Sequence, residues 1–282
     1  MSITQYPVFV MCGRDLKRRK LMDVVDPENQ YKSKALLPFL GKRLIDWQLD
    51  ELRQSPYVKD IYLLGLTEED ITLDFPVHYV PVDSTADVSV KFGAGVDYLS
   101  TFGPLPELVV ISSCDAPGIR IDEIDHFFEA IADADGAEFV LSLVPEEIVE
   151  AVFPGAGRVT AHFRDGDVFP GELYALSPRL IRLQQEAIRE MNQRRRKINR
   201  TKRKVGMGPI VRYLVRRPQT WSLLLRYGLG LATLADAERA VGAALGGKAR
   251  GVIIPDVGFG MDMDLPEDYE RLQDFVRRTK LS

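Results

Sequence analysis

A chain of 282 residues, 45% hydrophobic and 28% charged, carries enough apolar material for a sizeable core, which excludes general disorder. The net charge of −4 argues against a general nucleic-acid binder, although residues 194–204 hold eight basic residues and no acid, leaving −12 on the remainder. Two cysteines, Cys12 and Cys114, are too few for a disulfide scaffold or a cysteine-rich zinc site, and His78, His126 and His162 show no metal-ligand spacing.

Read in chain order, short β-branched or apolar runs alternate with helix-length amphipathic segments, which predicts βαβ units and a parallel sheet. Pro7–Cys12 reads as a buried strand that ends at Gly13. Leu44–Gln54 has helical apolar spacing and is expected to cover the sheet. Asp60–Leu64 and His78–Val82 are the second and third strands, and Ala86–Leu99 is a helix opened by Ser84 or Thr85 as N-cap. Leu108–Ser112 is the fourth strand, followed by a helix over Ile121–Ala132 and a fifth strand over Phe139–Val144. Arg158–Phe163, the Asp165-Gly166 turn and Val168–Phe169 form a hairpin, and Gly171–Leu176 adds another strand. Pro178–Arg196 reads as a helix capped by Ser177. Residues 197–248 are mainly helical with breaks at Gly206, Gly208, Pro218 and Gly228–Gly230. A last strand over Val252–Ile254 precedes a closing helix over Pro266–Arg278. The fold class is therefore α/β, a Rossmann-like doubly wound, mostly parallel sheet. Its core comprises 1–178 plus 249–282, with a mainly helical insertion at 179–248. The start lacks the basic region of a signal peptide. The most apolar later stretch, Trp221–Leu234, is interrupted by Arg226 and is short of the roughly 20 residues of a membrane span. A cytoplasmic location is expected.

In such sheets ligands bind at the carboxyl ends of the strands, where connections diverge. Strands one and four are the natural pair, and they end in Cys12-Gly13-Arg14 and Ser113-Cys114-Asp115-Ala116-Pro117. The first turn continues through Lys17, Arg18, Arg19 and Lys20. A basic loop with a glycine lets backbone approach and neutralise a polyphosphate. Asp115, on a rigid turn before Pro117-Gly118, suits a hard cation such as Mg²⁺, which takes one or two carboxylates plus phosphate oxygens and water. Asp262 offers a second carboxylate. Asp264 has a ready alternative reading as a residue favoured by the N-terminus of the closing helix.

Three segments carry a resemblance. Lys34–Leu52 (KALLPFLGKRLIDWQLDEL), SSCDAP and MDMDLPEDYERL resemble, in family order, motifs of the MobA-like NTP transferases, nucleotidyltransferases of the nucleotide-diphospho-sugar transferase fold. The resemblance implies that Lys34 contacts nucleotide phosphates and that Asp115 and Asp262 hold the catalytic Mg²⁺. Cys12, Gly13, Arg14 and Lys20 would wrap the triphosphate, and Ser84, Thr85 and Asp87 stand where relatives hold the base. The chain departs from the family at Met11–Asp15, which keeps one glycine of the usual Leu-x-Gly-Gly-x-Gly-x-Arg, and at the longer segment before Lys34.

The expected reaction moves an NMP from an NTP onto a phosphorylated small-molecule acceptor, with Lys34, Asp115 and Arg14 as catalytic residues and pyrophosphate as leaving group. The alternatives are a glycosyltransferase using a nucleotide sugar and a nucleotide-binding regulatory protein. A central-strand Asp-x-Asp would mark the glycosyltransferase, whereas Asp262-Met263-Asp264 lies near the C-terminus. Residues 194–234 are expected to form a helical flap beside the acceptor end, able to meet a phosphorylated acceptor or an anionic membrane surface. Nucleic acid is disfavoured because no stacking motif accompanies the basic run.

Overall fold

The computed structural model describes residues 3–14, 18–155, 159–189 and 214–281. Its centre is an eight-stranded mixed sheet. The strands on the main path are β1 (Tyr6–Met11), β4 (Val58–Leu64), β5 (His78–Val80), β6 (Val109–Ser112), β7 (Phe139–Pro145), β9 (Gly166–Leu176) and β10 (Ala249–Ile253). They lie in the order β10-β7-β9-β6-β1-β4-β5, and β8 (Ala161–Phe163) pairs with β9. Strand β1 is central and parallel to both β4 and β6, so the strands read as first and fourth are neighbours.

Helices cover both faces. On β1, Val8 and Val10 face one apolar cluster while Phe9 faces the other, the alternation that two-sided burial demands. The first face takes α1 (Lys20–Val25), α2 (Leu44–Leu52), α4 (Ile121–Ala132) and α9 (Pro266–Lys280) through Leu21, Leu49, Phe127 and Leu272. The second takes α3 (Val88–Ser100) and α6 (Pro178–Leu183) through Phe92, Val96, Leu180 and Ile181. Full burial of each such side chain contributes about 1.5–3 kcal/mol. A smaller third cluster, Leu214, Leu223, Ala232, Ala240 and Ala244, joins α7 (Trp221–Gly228) to α8 (Leu234–Leu245).

Several boundaries differ from the sequence reading. The two expected strands Val168–Phe169 and Gly171–Leu176 are one long β9, antiparallel to both β6 and β7, with a register shift on β7 between Leu141 and Leu143 near Pro170. The sheet is thus mostly parallel with one antiparallel strand inside it. The third helix begins at Val88, not Ala86, and its cap is Asp87 rather than Ser84 or Thr85. The expected helix Pro178–Arg196 is interrupted at Gln184, after the six residues Pro178–Leu183, and is helical again over 185–189. Three further elements went unread: the short α1, a β2 (Pro38–Phe39)/β3 (Lys42–Arg43) hairpin, and α5 (Glu146–Val152). Among the described residues no helix is long and apolar enough to cross a membrane.

The ends of β1 and β4 cross at two glycines. Gly65 has φ +113°, and a Cβ there would lie 2.9 Å from Gly13 Cα. Gly65→Ala is therefore expected to lower the unfolding free energy by about 2–3 kcal/mol in chemical denaturation, from strain plus clash. Gly41→Ala is the control, since Gly41 has φ +88° but nothing within 4 Å of an added Cβ. Equal losses in the two variants would show that the close approach to Gly13 costs nothing.

Candidate active site

The carboxyl ends of β1, β4 and β6 form one edge of the sheet, and two groups of side chains gather there. The first surrounds Lys34. Ser33 caps a short helical turn over Lys34–Leu36, accepting from Ala35 N at 3.3 Å. The Ser33 hydroxyl also donates to Cys12 O at 2.9 Å, tying this turn to the end of β1. The turn is braced from behind by the β2/β3 hairpin, where Trp47 Nε1 donates to Phe39 O at 2.9 Å and Tyr269 OH to Pro38 O at 2.6 Å. Lys34 Nζ consequently points into the site, ion-paired with Asp115, 3.0 Å from Asp264 Oδ1 and 3.1 Å from Met263 O.

Asp115, Asp262 and Asp264 each present a carboxylate oxygen within 4.8 Å of the others. Asp115 sits just beyond β6, and Met263 N donates to Asp115 O at 3.0 Å, which holds the C-terminal segment across it. Asp264 is not merely a helix-end residue. Its side chain takes Lys34 and also Arg19 Nη1 at 2.6 Å, while the cap of α9 comes from Asp268, which accepts from Leu265 N at 2.7 Å. Burial works against the Lys34 ammonium, but Asp115, then Asp264 and Asp262, outweigh both it and nearby Arg19, so Lys34 is held protonated well above its ordinary range. Burial pushes the Asp115 carboxyl up, Lys34 pulls it down, and Asp262 and Asp264 push it up again, with a net upward shift. Three crowded carboxylates make a hard, anionic oxygen donor set, which fits a hard divalent cation.

The second group lies at the glycine crossing. Ser84 O accepts from Arg14 N and from Lys91 Nζ, each at 2.8 Å, so the Cys12–Arg14 turn is latched to the loop before α3. Lys91, only 3% exposed, fills the space a Cβ on Gly13 would need. Arg14 is exposed, and together with Lys91 helps hold the Asp83 carboxyl below its usual range, after the larger effect of hydrogen bonds from Thr85. Cys12 and Cys114 meet beneath the site. Burial, then the hydrogen bond with Cys114, pushes the Cys12 thiol well up, and both side chains are buried.

The structure thus brings Lys34, Asp115, Asp262 and Asp264 together, and brings Cys12, Gly13, Arg14 and Ser84 together beside them. Thr85 donates its backbone N–H and its hydroxyl to Asp83, and Asp87 accepts from Ser89 N at 3.1 Å as the cap of α3. Lys20 is exposed at the first residue of α1, whereas its neighbour Arg19 turns to Asp264. Lys17 and the whole basic run 194–204 lie outside the described residues. Sequence reasoning missed three side chains: Ser33, Arg19 as a partner of Asp264, and Lys91. His162, whose sequence spacing suggested no metal ligand, has its Nδ1 3.2 Å from Asp167 Oδ1 with Glu146 nearby, at largely exposed positions on the β8/β9 side.

The MobA-like NTP transferase domain matches residues 29–202, more than half of the chain. No curated protein matches. Among solved structures, a hypothetical transferase from Thermus thermophilus aligns with TM-score 0.69 at 21% identity, covering 94% of this chain and all of that one. CMP:2-keto-3-deoxy-manno-octonic acid synthetase complexed with CTP aligns at 0.55 and 12% identity, covering 98% and 99%. The 4-diphosphocytidyl-2C-methyl-D-erythritol synthase of Anaerococcus prevotii aligns at 0.53 and 12%, with the same coverages. At these identities the likeness is one of fold. Taken with the domain match, it identifies the chain as a member of the MobA-like NTP transferase family, a nucleotidyltransferase.

Proposed function

We propose that the protein transfers an NMP group from an NTP to a phosphorylated small-molecule acceptor, releasing pyrophosphate, with Mg²⁺ or a similar divalent cation held by Asp115, Asp262 and Asp264. The observation that carries this reading is the meeting of Lys34 with three carboxylates beside the glycine crossing of β1 and β4, at the ligand-binding edge of the sheet. In the reaction an acceptor phosphate oxygen attacks the α-phosphorus. A new P–O bond forms, the bond to the β-phosphate oxygen breaks, and pyrophosphate leaves with the electron pair.

When bound, a divalent cation supplies Lewis-acid polarisation of the phosphate oxygens. The chain itself positions and neutralises. Lys34, kept protonated by its carboxylate neighbours, provides a fixed positive charge at the reacting phosphates, and Arg14 provides a second on the exposed side. The Cys12–Arg14 turn, latched by Ser84 and Lys91, offers backbone for the triphosphate. We read Thr85 and Asp87 as shaping the base-binding side through the loop they stiffen, and Lys20 as an outer contact at most. No nucleophilic side chain is needed, because phosphoryl-type transfer asks the protein mainly for positioning and charge stabilisation.

The core of 1–178 plus 249–282 carries this chemistry in our reading, with 179–248 as the acceptor-side insertion. The roles assigned to 194–234, at the acceptor or at an anionic membrane surface, rest on sequence, since 190–213 lie outside the described residues. Pyrophosphate release, assayed with each of four NTPs against a panel of sugar and polyol phosphates with Mg²⁺ or Mn²⁺, is the test. Acceptor-dependent pyrophosphate with one NTP is expected. Release that depends on no acceptor, or transfer of a sugar from a nucleotide sugar, would overturn the proposal.

A further inference from the structure

Asp115 and Asp262 reach the site on separate segments, 115–118 after β6 and 257–264 before α9. These segments cross at Gly118 and Gly258, where a Cβ on Gly258 would lie 2.6 Å from Gly118 O. A side chain from neither segment seals the crossing. Glu123, in the first turn of α4 and 4% exposed, accepts from Gly258 N at 3.3 Å and from Arg120 N at 3.4 Å, and its second oxygen occupies the place of a Gly258 Cβ. Gly258 stands four residues before Asp262, and Met263 N closes the other end onto Asp115 O at 3.0 Å. The segment bearing Asp262 is therefore held at two points. One of these is a buried acid that touches no proposed metal ligand.

We propose that Glu123 is a positioning residue which, by holding the backbone at Gly258, sets Asp262 opposite Asp115 for cation binding. The inference rests on the metal reading of those carboxylates. The charged groups facing Glu123 are Asp256, just before the 257–260 turn, Asp122 on its own helix, and Lys280 from α9, itself paired with Glu51 of α2 at 2.9 Å. Burial first, then Asp256, pushes the Glu123 carboxyl up to about 8, so at neutral pH it is mainly a neutral acid and glutamine is its closest mimic. The hydrogen bond to Gly258 N needs only an uncharged oxygen acceptor at that reach.

The test is Mn²⁺ alone, titrated against the full chain and followed by the electron paramagnetic resonance of the free ion. The signal of interest is the binding that Asp262→Asn removes, which separates it from any Mn²⁺ taken up near His162. Outer-shell partners of metal ligands are typically worth about 10–100-fold in affinity. Glu123→Asp, which draws the carboxylate back by one methylene, is expected to weaken this binding about tenfold. Glu123→Ala should weaken it at least as much, and Glu123→Gln should restore it to within about twofold. If Glu123→Ala fails to fold, the Asp and Gln variants alone decide. Wild-type binding matched by Glu123→Asp, or lost in Glu123→Gln as fully as in Glu123→Asp, overturns the positioning role. Absence of any Asp262-dependent binding in the wild type instead overturns the metal reading on which it stands.

Discussion

Replacing Asp115 with Asn should cost at least about 100-fold in NTP-dependent pyrophosphate release while leaving the protein folded. The carboxylate is almost fully buried at the end of β6, with Asp262 and Asp264 within 4.8 Å and its charge compensated by Lys34. Burial drives its pKa upward in spite of that lysine, so its ionised form is held in place at a cost. A neutral amide of the same shape relieves the crowding of like charges but removes a hard anionic donor. Metal-assisted charge stabilisation is worth several kcal/mol, and each 1.36 kcal/mol is about tenfold in rate. The two readouts should therefore move apart, with turnover collapsing and the thermal midpoint unchanged or raised. Full turnover in Asp115→Asn would remove this carboxylate from the chemistry. A collapse of the thermal midpoint would mean that Asp115 is structural instead.

Much of the fold was legible because a two-sided sheet forces short, continuous apolar strands between amphipathic helices. Val8 to Val10 must be apolar on both faces, and the same holds for Val109–Ile111. What escaped was direction and context. An antiparallel β9 lying between β6 and β7 is buried like its parallel neighbours, so its composition does not reveal its polarity. The cap of α3 was misplaced because Asp83, Ser84, Thr85 and Asp87 are all competent capping residues, and only the backbone geometry selects Asp87. At the site, Lys34, Asp115 and Asp262 stood out through motifs with a fixed order. Arg19 did not, being one of several basic residues in a loop, and its tie to Asp264 spans 245 positions. Lys91 was hidden for the opposite reason, as a lone cation in an otherwise apolar helix turn. Its meaning appears only when Gly13 packs above it.

That packing of cations among acids leads to the second large effect. Lys34→Met is expected to destabilise the metal-free protein by about 3 kcal/mol, because it keeps the bulk of the side chain and deletes the ammonium. The Lys34 side chain is 19% exposed and that of Asp115 only 6%, so solvent screens the pair weakly. Removing one partner of a buried pair leaves an uncompensated charge, a loss of about 3–5 kcal/mol. Arg19 remains on Asp264 at 2.6 Å and moderates the loss. The sign of the pH dependence follows from the carboxylates. An acid whose pKa is raised by folding favours the folded state most below its ordinary value, and that favour is lost as pH rises through the folded value. The deficit of Lys34→Met should thus be small near pH 4 and grow toward neutrality, as Asp115 is forced to ionise. Mg²⁺ supplies the decisive comparison. In the wild type an added cation must compete with the ammonium for Asp115 and Asp264, whereas in Lys34→Met those oxygens have lost it. Binding that favours the folded state stabilises by mass action, so millimolar Mg²⁺ should raise the melting temperature of Lys34→Met by more than it raises that of the wild type. Pyrophosphate release should stay low even then, since the charge Lys34 brings to the phosphates is not replaced. Equal Mg²⁺ stabilisation of the two proteins would mean that ammonium and cation do not share these carboxylates, and recovery of turnover with Mg²⁺ would reduce Lys34 to a stabilising counter-ion.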